Sequence, residues 1–360
     1  MHHNVAQASS LLPSRDRPVN RIASDTANLI DIQTVSVEGY HNIFQEESGR
    51  TALDAWPMLS ALFMKNQALA PGAKESARPT WSGQTIVAVT GTKGGVGRTS
   101  CAANLAVALA RAGIGAIALD LDPQNALGAH FGLEADGRTG VAHAALSGDS
   151  WHTHLRPVGP HAPFPAGSAE LQVLSFGQLD NAQERAFQQH LGSCGDWVHA
   201  GLASLDGSRA RVVVIDLPAH PSDIMRQVLA EAHVTITVML ADAASCLCEE
   251  RARAAVPDLC LRGPGAVRSI YLLNQIDHSR RLQHDVARFL QQRLAGHELV
   301  FVHQDQAVPE ALACGATVVA SKHQAQAARD FTDIAAKLVF SIQPNSGEWA
   351  LPAIDDGVHR

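Results

Sequence analysis

From residue 85 onward, short runs of apolar residues alternate with stretches in which apolar residues recur every three or four positions. The short runs are mostly apolar rather than alternating, as is typical of strands that are covered on both faces. They are Ile86–Thr90, Ala116–Leu121, Leu171–Phe176, Val212–Leu217, Val234–Leu240, Ser269–Leu273 and Leu299–Val302. Helical stretches between the runs predict an α/β fold, in which a mostly parallel sheet carries helices on both faces.

The segments on either side of this region have a different pattern. Residues 1–64 are polar and then amphipathic, which predicts a short helical N-terminal extension. Residues 65–84 hold two prolines and two glycines among small residues, which favours a linker. The alternating region predicts one large domain over residues 85–340, and the proline- and glycine-containing residues 341–360 are typical of a loose tail.

Composition narrows the class of protein. The sequence is 46% hydrophobic and 18% charged, which is typical of a globular chain. Its net charge of -7 disfavours a DNA-binding protein, so no DNA partner is expected. The six cysteines lack paired spacing and favour a reduced, cytoplasmic chain. No apolar run reaches the roughly 18–20 residues of a membrane span, so no direct membrane insertion is expected.

The strongest chemical signal is a glycine-rich segment, GTKGGVGRTS at residues 91–100. It follows a predicted strand and precedes a predicted helix with Ala102, Leu105, Leu109 and Ala112 on one face. Glycines let backbone N–H groups turn inward, and a helix N-terminus adds a positive dipole end, so this context predicts a phosphate-binding P-loop. Thr99 stands where a hydroxyl would ligate Mg²⁺. The nucleotide-binding candidates are Lys93, Gly94, Gly95, Val96, Gly97, Arg98, Thr99 and Ser100.

The segment departs from the standard pattern G-x-x-x-x-G-K-[ST], because Thr92 and Arg98 replace its first glycine and its lysine. It resembles the deviant form K-G-G-x-G-K-[ST] of the ParA/MinD ATPases, apart from Arg98. That resemblance implies ATP binding and a homodimer in which Lys93, a catalytic candidate, reaches the partner subunit's nucleotide. Arginine keeps the positive charge but is bulkier and planar. We therefore expect nucleotide binding to persist and hydrolysis to be weak.

Acidic residues follow two of the predicted strands. The resemblance implies that Asp120 lies near the Mg²⁺ shell and that Asp122 positions or activates the attacking water. The apolar run Val212–Leu217 is similar to a Walker B element, which would deliver Asp216 to the Mg²⁺ water shell. Thr99, Asp120 and Asp216 are therefore the metal candidates. The resemblance further implies that Asn274, at the end of another strand, contacts the nucleotide base.

Other chemical signals favour structural roles. Cys246 and Cys248 lack a second pair at ligand spacing, so structural cysteines are favoured over a metal cluster. His220 is interpreted as a loop histidine rather than a catalytic one. A cluster of arginines is interpreted as a solvated helix face rather than a DNA contact: Arg280, Arg281, Arg288 and Arg293.

Three segments resemble one branch of this superfamily, the BcsQ (YhjQ) family: Leu174–Leu179, Ile215–Pro218 and His303–Leu312. The resemblance covers roughly residues 85–340. Residues Ala55–Phe63 are similar to a helix of BcsR, the small partner of BcsQ, which implies a BcsR-like segment from about residue 31. The family resemblance implies an ATP-dependent dimeric switch that regulates assembly or localisation of a bacterial cellulose synthase complex. It also implies a cytoplasmic protein that partner proteins recruit to the inner membrane.

The superfamily resemblance also leaves two other functions open. A ParA-type partitioning ATPase would act on DNA, and it stays as the alternative although net acidity opposes it. A MinD-like membrane-cycling ATPase would need a basic amphipathic C-terminal helix. The segment 347–356 is acidic and is interrupted by a proline, which disfavours that function.

Overall fold

The computed structural model describes residues 84–134, 138–158, 169–249 and 268–342, together with Trp56 and Met58. All features discussed below lie within residues 61–360. The predicted N-terminal extension with its BcsR-like segment, the linker and the C-terminal tail fall almost entirely outside the described residues. Their boundaries therefore stay predictions.

The described residues form one eight-stranded sheet, and every predicted apolar run contributes a strand. The strand order is β3-β4-β2-β5-β1-β6-β7-β8, and all pairs are parallel except β3–β4. The additional strand is β3, a two-residue edge strand that is too short to leave a hydrophobic pattern. The strands are β1 Thr85–Gly91, β2 Ala116–Asp120, β3 Arg156–Pro157, β4 Leu171–Leu174, β5 Val212–Asp216, β6 Val234–Leu240, β7 Arg268–Ile276 and β8 Glu298–His303.

Helices follow most of the strands, and residues 243–249 are also helical. Two 3₁₀ helices span Leu127–Phe131 and Trp151–His154. The α-helices are α1 Arg98–Arg111, α2 Val141–Ser147, α3 Asn181–Ser193, α4 Trp197–Ala203, α5 Asp223–Glu231, α6 Arg281–Arg293, α7 Ala307–Ala313, α8 Val318–Ser321 and α9 Gln326–Ile342. No helix of the described residues is both long and apolar enough to cross a bilayer.

Successive residues of β1 enter two separate hydrophobic cores, one on each face of the sheet. Val87 and Val89 belong to the core that contains residues of α1 and α9. Ile86 and Ala88 belong to the core on the opposite face, which is built with residues of α2 to α5. Both faces of the central strand are thus covered, which explains why its sequence is apolar throughout rather than alternating.

Helix α1 is more deeply buried than its sequence pattern predicted. All residues from Cys101 to Ala110 are buried, whereas Ala112, which was expected on the apolar face, is only partly buried. The reason is that α1 shares a core with both the sheet and α9, so it has no solvent-facing side along this length. A helix enclosed in this way is expected to be apolar all round, and the exception between Cys101 and Ala110 is Asn104, whose amide is hydrogen-bonded to Ser100 and Val319. This packing fixes its N-terminus at the carboxyl edge of the sheet.

Candidate functional site

The glycine-rich loop connects the end of β1 directly to the start of α1. Gly95 and Gly97 have φ angles of 76° and 88°, in the left-handed region that favours glycine. A Cβ atom on Gly97 would also overlap the side-chain nitrogen of Asn274. No side chain caps the N-terminus of α1, and its first turn holds no acidic residue. The helix therefore presents backbone N–H groups and a positive dipole end, which suit a phosphate.

Arg98 turns back beneath this loop. Its side chain is buried, with 9% of its area exposed, and its stem passes so close to Gly91 that a Cβ there would overlap it. Its Nη1 donates a hydrogen bond to the carbonyl of Leu217, and its Nη2 lies 3.5 Å from Asp122 Oδ2. One guanidinium thus contacts the segments that follow β2 and β5. The planar, five-donor geometry of arginine permits this double contact, which a lysine ammonium could not copy.

Three predicted residues meet at the ends of β2 and β5. Asp120 and Asp216 are direct partners in the parallel register of these strands, and both are fully buried. Thr99 donates its hydroxyl hydrogen to Asp216 Oδ2 at 2.6 Å. Asp120 accepts backbone N–H groups of Asp122 and Leu127 at 2.9 Å each. The other oxygen of Asp216, Oδ1, is buried and has no hydrogen-bond partner among the described residues.

Burial makes the charged state of both carboxyl groups unfavourable. Desolvation raises the pKa of Asp216 to about 7, although the Thr99 hydrogen bond and the Arg98 charge oppose the rise. Desolvation and the neighbouring Asp216 charge raise the pKa of Asp120 well above its usual range. A divalent cation bound beside these two carboxyl groups would stabilise the ionised state of both.

The donor set fits Mg²⁺ better than a cation held by protein ligands alone. Among the described residues, no group of three or more His, Cys, Asp or Glu side chains is placed to hold a metal. Mg²⁺ usually takes one or two carboxylates and completes its shell with water and substrate phosphates. The unpartnered Asp216 Oδ1 and the Thr99 hydroxyl fit that requirement. Both oxygens of Asp120 accept backbone N–H groups, and its predicted role near the Mg²⁺ shell stays a prediction.

Lys93 lies apart from this cluster. Its ammonium forms an ion pair of 2.6 Å with Asp242 Oδ2, and 27% of the lysine side chain is exposed. Asp242 closely follows β6, at the same edge of the sheet. Burial alone would raise the pKa of Asp242, but hydrogen bonds from Lys93 and Ser245 outweigh it and hold that pKa below its usual value. Lys93 is therefore a partly exposed residue of the loop, with the exposed Gly94 and Gly95 next to it.

Asn274 lies on the other side of the loop. Its Nδ2 donates to the carbonyl of Val96 at 2.8 Å, so the amide nitrogen holds the loop and Oδ1 is left for a ligand. The next residue, Gln275, has a φ of 59°, a strained value for a non-glycine residue. A cavity of about 510 Å³ opens here and is lined by Gly97, Ser100, Asn274, Gln275, His303, Gln304, Asp305, Gln306, Val308, Pro309, Leu312 and Phe331.

Sequence reasoning missed Asp242, the Leu217 carbonyl and His303. Asp242 and His303 each lie at or just beyond the carboxyl end of a parallel strand, and ligands of α/β sheets bind at that edge. This position was the available signal for both residues. A backbone carbonyl such as that of Leu217 carries no signal in the sequence, because every residue has one.

The remaining candidates have structural explanations. Cys246 is buried, and desolvation raises its pKa to about 12, which keeps the thiol protonated and unreactive. His220 is exposed in the loop between β5 and α5. Three of the four arginines at or in α6 are paired with acidic side chains, which leaves less charge for DNA: Arg280 with Asp277, Arg281 with Asp285 and Arg293 with Glu249.

Comparison with known proteins identifies relatives over most of the described region. The family model for the cellulose biosynthesis protein BcsQ matches residues 84–339. BcsQ of Escherichia coli K12 is 29% identical over 252 residues, which are 69% of this chain and 92% of that protein. BcsQ of Salmonella typhimurium is 30% identical over 233 residues, 63% of this chain and 83% of that protein. The chromosome partitioning protein ParA of Myxococcus xanthus is 41% identical, but over only 64 residues, or 18% of this chain.

Solved structures confirm the fold. The septum site-determining protein MinD of Pyrococcus horikoshii, in complex with Mg-ADP, superposes with a TM-score of 0.57 and is 18% identical. The match covers 74% of this chain and 99% of MinD. Cobyrinic acid a,c-diamide synthase of Mycobacterium smegmatis, with an ATP analogue and magnesium, gives a TM-score of 0.55 at 19% identity over 74% of this chain and 97% of that one. The predicted P-loop fold of the MinD and ParA type is therefore correct.

Proposed function

Because the chain belongs to the BcsQ family of cellulose biosynthesis proteins, we propose that it is an ATP- and Mg²⁺-binding switch that regulates a bacterial cellulose synthase complex. In this proposal, bound nucleotide promotes a homodimer, and the dimer controls assembly or localisation of that complex. The chain acts in the cytoplasm and reaches the inner membrane through partner proteins.

The main support for a nucleotide-binding site is the hydrogen-bonded pair formed by Thr99 and Asp216. The hydroxyl and carboxylate meet at the first turn of an uncapped helix, and the carboxylate keeps one buried oxygen without a partner. A buried unsatisfied carboxylate oxygen costs several kcal/mol unless a ligand satisfies it. A phosphate-bound divalent cation supplies that ligand and at the same time occupies the helix N-terminus.

Each residue of the site has a distinct role in the proposal. Backbone N–H groups of residues 94–100 bind the phosphates, and Thr99 with Asp216 holds the cation. When bound, Mg²⁺ supplies positive charge that draws electrons from the terminal phosphate. Asp122 orients the attacking water, and its contact with Arg98 restrains it from that task. Hydrolysis is therefore slow, and the bound state persists long enough to act as a signal.

Calorimetry tests the nucleotide site. The full chain is titrated with a non-hydrolysable ATP analogue in the presence and absence of Mg²⁺. The native protein is expected to bind only with Mg²⁺, and Asp216→Asn is expected to lose at least about tenfold in affinity, because one lost charge-assisted contact is worth ~1.5–3 kcal/mol. Asp223→Asn, on the exposed start of α5, is the matched control and retains binding. Absence of heat from the folded native protein at millimolar ligand contradicts the proposal.

A genetic experiment tests the biological role. The chromosomal copy in the host bacterium is replaced by Asp216→Asn or Asp223→Asn, and cellulose is measured by dye binding at equal protein abundance. We expect cellulose to fall only in the Asp216→Asn strain. A DNA-binding titration in parallel addresses the partitioning alternative, which requires salt-sensitive, sequence-independent binding. Unchanged cellulose together with such DNA binding would favour the alternative.

A further inference from the structure

His303, at the end of β8, lines the cavity beside the glycine-rich loop. Its backbone N–H donates to Asp330 Oδ2 at 2.8 Å, and its ring Nδ1 lies 2.9 Å from the same oxygen. The second oxygen of Asp330 accepts a hydrogen bond from Gln326 at 2.9 Å. Only 9% of the Asp330 side chain is exposed. The histidine ring is thus held at the cavity wall by a buried carboxylate that is itself fixed by α9.

This contact decides which ring nitrogen carries the proton. A carboxylate oxygen only accepts hydrogen bonds, so the Nδ1 of His303 must donate. In the neutral imidazole the other nitrogen, Nε2, then has a lone pair and no hydrogen. Because Nδ1 is occupied by Asp330, Nε2 is the polar ring atom that is left for a ligand. His303 therefore offers the cavity a hydrogen-bond acceptor of fixed position.

The cavity continues directly from the proposed phosphate site. Gly97 and Ser100, in the first turn region of α1, form one wall, and Asn274 forms another. The cavity volume of about 510 Å³ lies within the range of roughly 300–1,000 Å³ that is typical of small-molecule pockets. A nucleotide whose phosphates lie on the helix N-terminus would therefore extend its base toward His303. Asp305 stabilises this wall, because its two oxygens accept the N–H groups of Ala307 and Ala327 at 2.9 and 3.1 Å.

We propose that His303 selects adenine over guanine nucleotides. Its Nε2 accepts a hydrogen bond from the exocyclic amine at position 6 of adenine. Guanine carries a carbonyl oxygen at that position, so two acceptors would face each other without a proton between them. The inference rests on the nucleotide binding proposed above, and it adds the residue that discriminates between the bases.

The expected size of the effect follows from hydrogen-bond energetics. A site that is built to bond a substrate donor rejects an analogue without that donor, because the polar group of the site loses its partner. One neutral hydrogen bond with an unsatisfied group as the alternative gives about tenfold discrimination. We therefore expect the native protein to bind ATP at least ~10-fold more tightly than GTP.

The test uses the full chain at pH 8 with Mg²⁺ and non-hydrolysable analogues of ATP and GTP. His303→Asn keeps a side-chain donor for Asp330 but is too short to place an acceptor where Nε2 lies in the native protein. It is expected to reduce the preference for ATP to within about threefold with little change in melting temperature. His278→Asn is the matched control, since its ring lies 5.1 Å from that of His303 but does not line the cavity. This control is expected to keep the full preference.

A ligand series makes the test independent of any variant. Purine ribonucleoside triphosphate lacks the amine, and inosine triphosphate carries a carbonyl in its place. The native protein is expected to bind ATP most tightly, the unsubstituted purine less tightly and inosine triphosphate least. Equal affinities across the series, or an unchanged preference in His303→Asn, would overturn the role of His303 and leave nucleotide binding intact. Failure of every nucleotide to bind would instead overturn the proposed function, and the base assignment with it.

Discussion

The guanidinium of Arg98 lies 3.5 Å from the carboxylate of Asp122 and also donates to the carbonyl of Leu217. Arg98 begins the P-loop helix, while the other two residues follow β2 and β5. A single side chain therefore links the loop to both acidic segments of the site. In the proposed mechanism the Asp122 carboxylate must orient toward the attacking water, and the contact with Arg98 restrains that movement.

We predict slow hydrolysis that Arg98→Lys accelerates. A lysine ammonium is compact and cannot contact Asp122 and Leu217 together, so Asp122 is released toward water. The turnover number of the native protein is expected to lie below ~1 s⁻¹, the lower end of the range for typical enzymes. The turnover number of Arg98→Lys is expected to be roughly tenfold higher. Single-turnover phosphate release measures both rates.

The control for this prediction combines two changes. Asp122→Asn placed in the Arg98→Lys protein should abolish the gain, because the amide cannot act as a base. Calorimetry on each variant separates the rate of chemistry from the affinity for nucleotide. Native turnover well above 1 s⁻¹, or no gain in Arg98→Lys, is incompatible with a restraining role for Arg98.

A second prediction concerns pH and the raised pKa of Asp216, which is about 7. A carboxyl group whose folded pKa exceeds its unfolded value holds its proton longer in the folded state. The stability of the metal-free protein is therefore highest below the unfolded value near 4 and falls as pH rises toward 7. Asp216→Asn removes this loss of stability. At pH 8 and without Mg²⁺, the melting temperature of the variant should therefore be at least ~2 °C above that of the native protein. Differential scanning calorimetry at pH 5 and pH 8 measures the difference.

With Mg²⁺ and nucleotide present at pH 8, the native protein should instead melt at a higher temperature than Asp216→Asn. The cation binds the ionised carboxylate, so its stabilising effect on the native protein should increase from pH 6 to pH 8. Asp216→Asn should show no such increase. A native melting temperature that responds equally to Mg²⁺ and nucleotide at both pH values would show that Asp216 does not ligate the cation.

A third prediction tests the geometry of the loop through Gly97→Ala. The new methyl group would overlap the Asn274 amide, and the φ of 88° is unfavourable for alanine. We expect the variant to fold, because the buried cores are untouched, but to bind nucleotide at least ~10-fold more weakly. Gly192→Ala is the control, since its added Cβ meets no atom within 4 Å. Native-like affinity in Gly97→Ala would show that the loop tolerates another path.

The sheet could be predicted from the sequence because its parallel strands are buried on both faces. Runs such as Val212–Ile215 are apolar at every position, and this pattern can be recognised without knowing which strands are their neighbours. The two-residue strand β3 could not be predicted, because its position depends on pairing with β4 rather than on its own residues. The burial of α1 on all sides from Cys101 to Ala110 was also missed, because small residues such as Ala103 and Ala106 do not mark a second apolar face clearly.

The candidate polar residues could be named from the sequence, but their contacts could not. Asp120 and Asp216 were both predicted near the Mg²⁺ shell, and the structure makes them direct partners in the register of β2 and β5, while their role toward a cation stays a prediction. Motif spacing alone could not reveal that Lys93 pairs with Asp242, because the two residues lie 149 positions apart in the sequence. The direction of the Arg98 side chain was equally hidden, since it depends on close approach to Gly91.

The last prediction concerns nucleotide-dependent dimerisation through Lys93. Two triphosphate sites that face each other across an interface repel, unless a cation from each subunit is placed opposite the partner's phosphates. Charge-assisted hydrogen bonds of this kind are roughly twice as strong as neutral ones, and they exist only when nucleotide is present. In the isolated chain Lys93 is instead held by Asp242 at 2.6 Å. Dimerisation must therefore exchange an intramolecular ion pair for an intermolecular one.

Two variants separate the steps of this exchange. Lys93→Ala should retain nucleotide binding, because the loop backbone and Thr99 hold the ligand, but it should remain monomeric with the ATP analogue. Asp242→Asn removes the competing carboxylate and should strengthen the nucleotide-bound dimer by a few-fold, the range of a partly exposed ion pair. Analytical ultracentrifugation with and without the analogue measures all three proteins. If native protein has the same oligomeric state in both conditions, or if Lys93→Ala dimerises as well as native protein, Lys93 is not the residue that couples nucleotide to assembly.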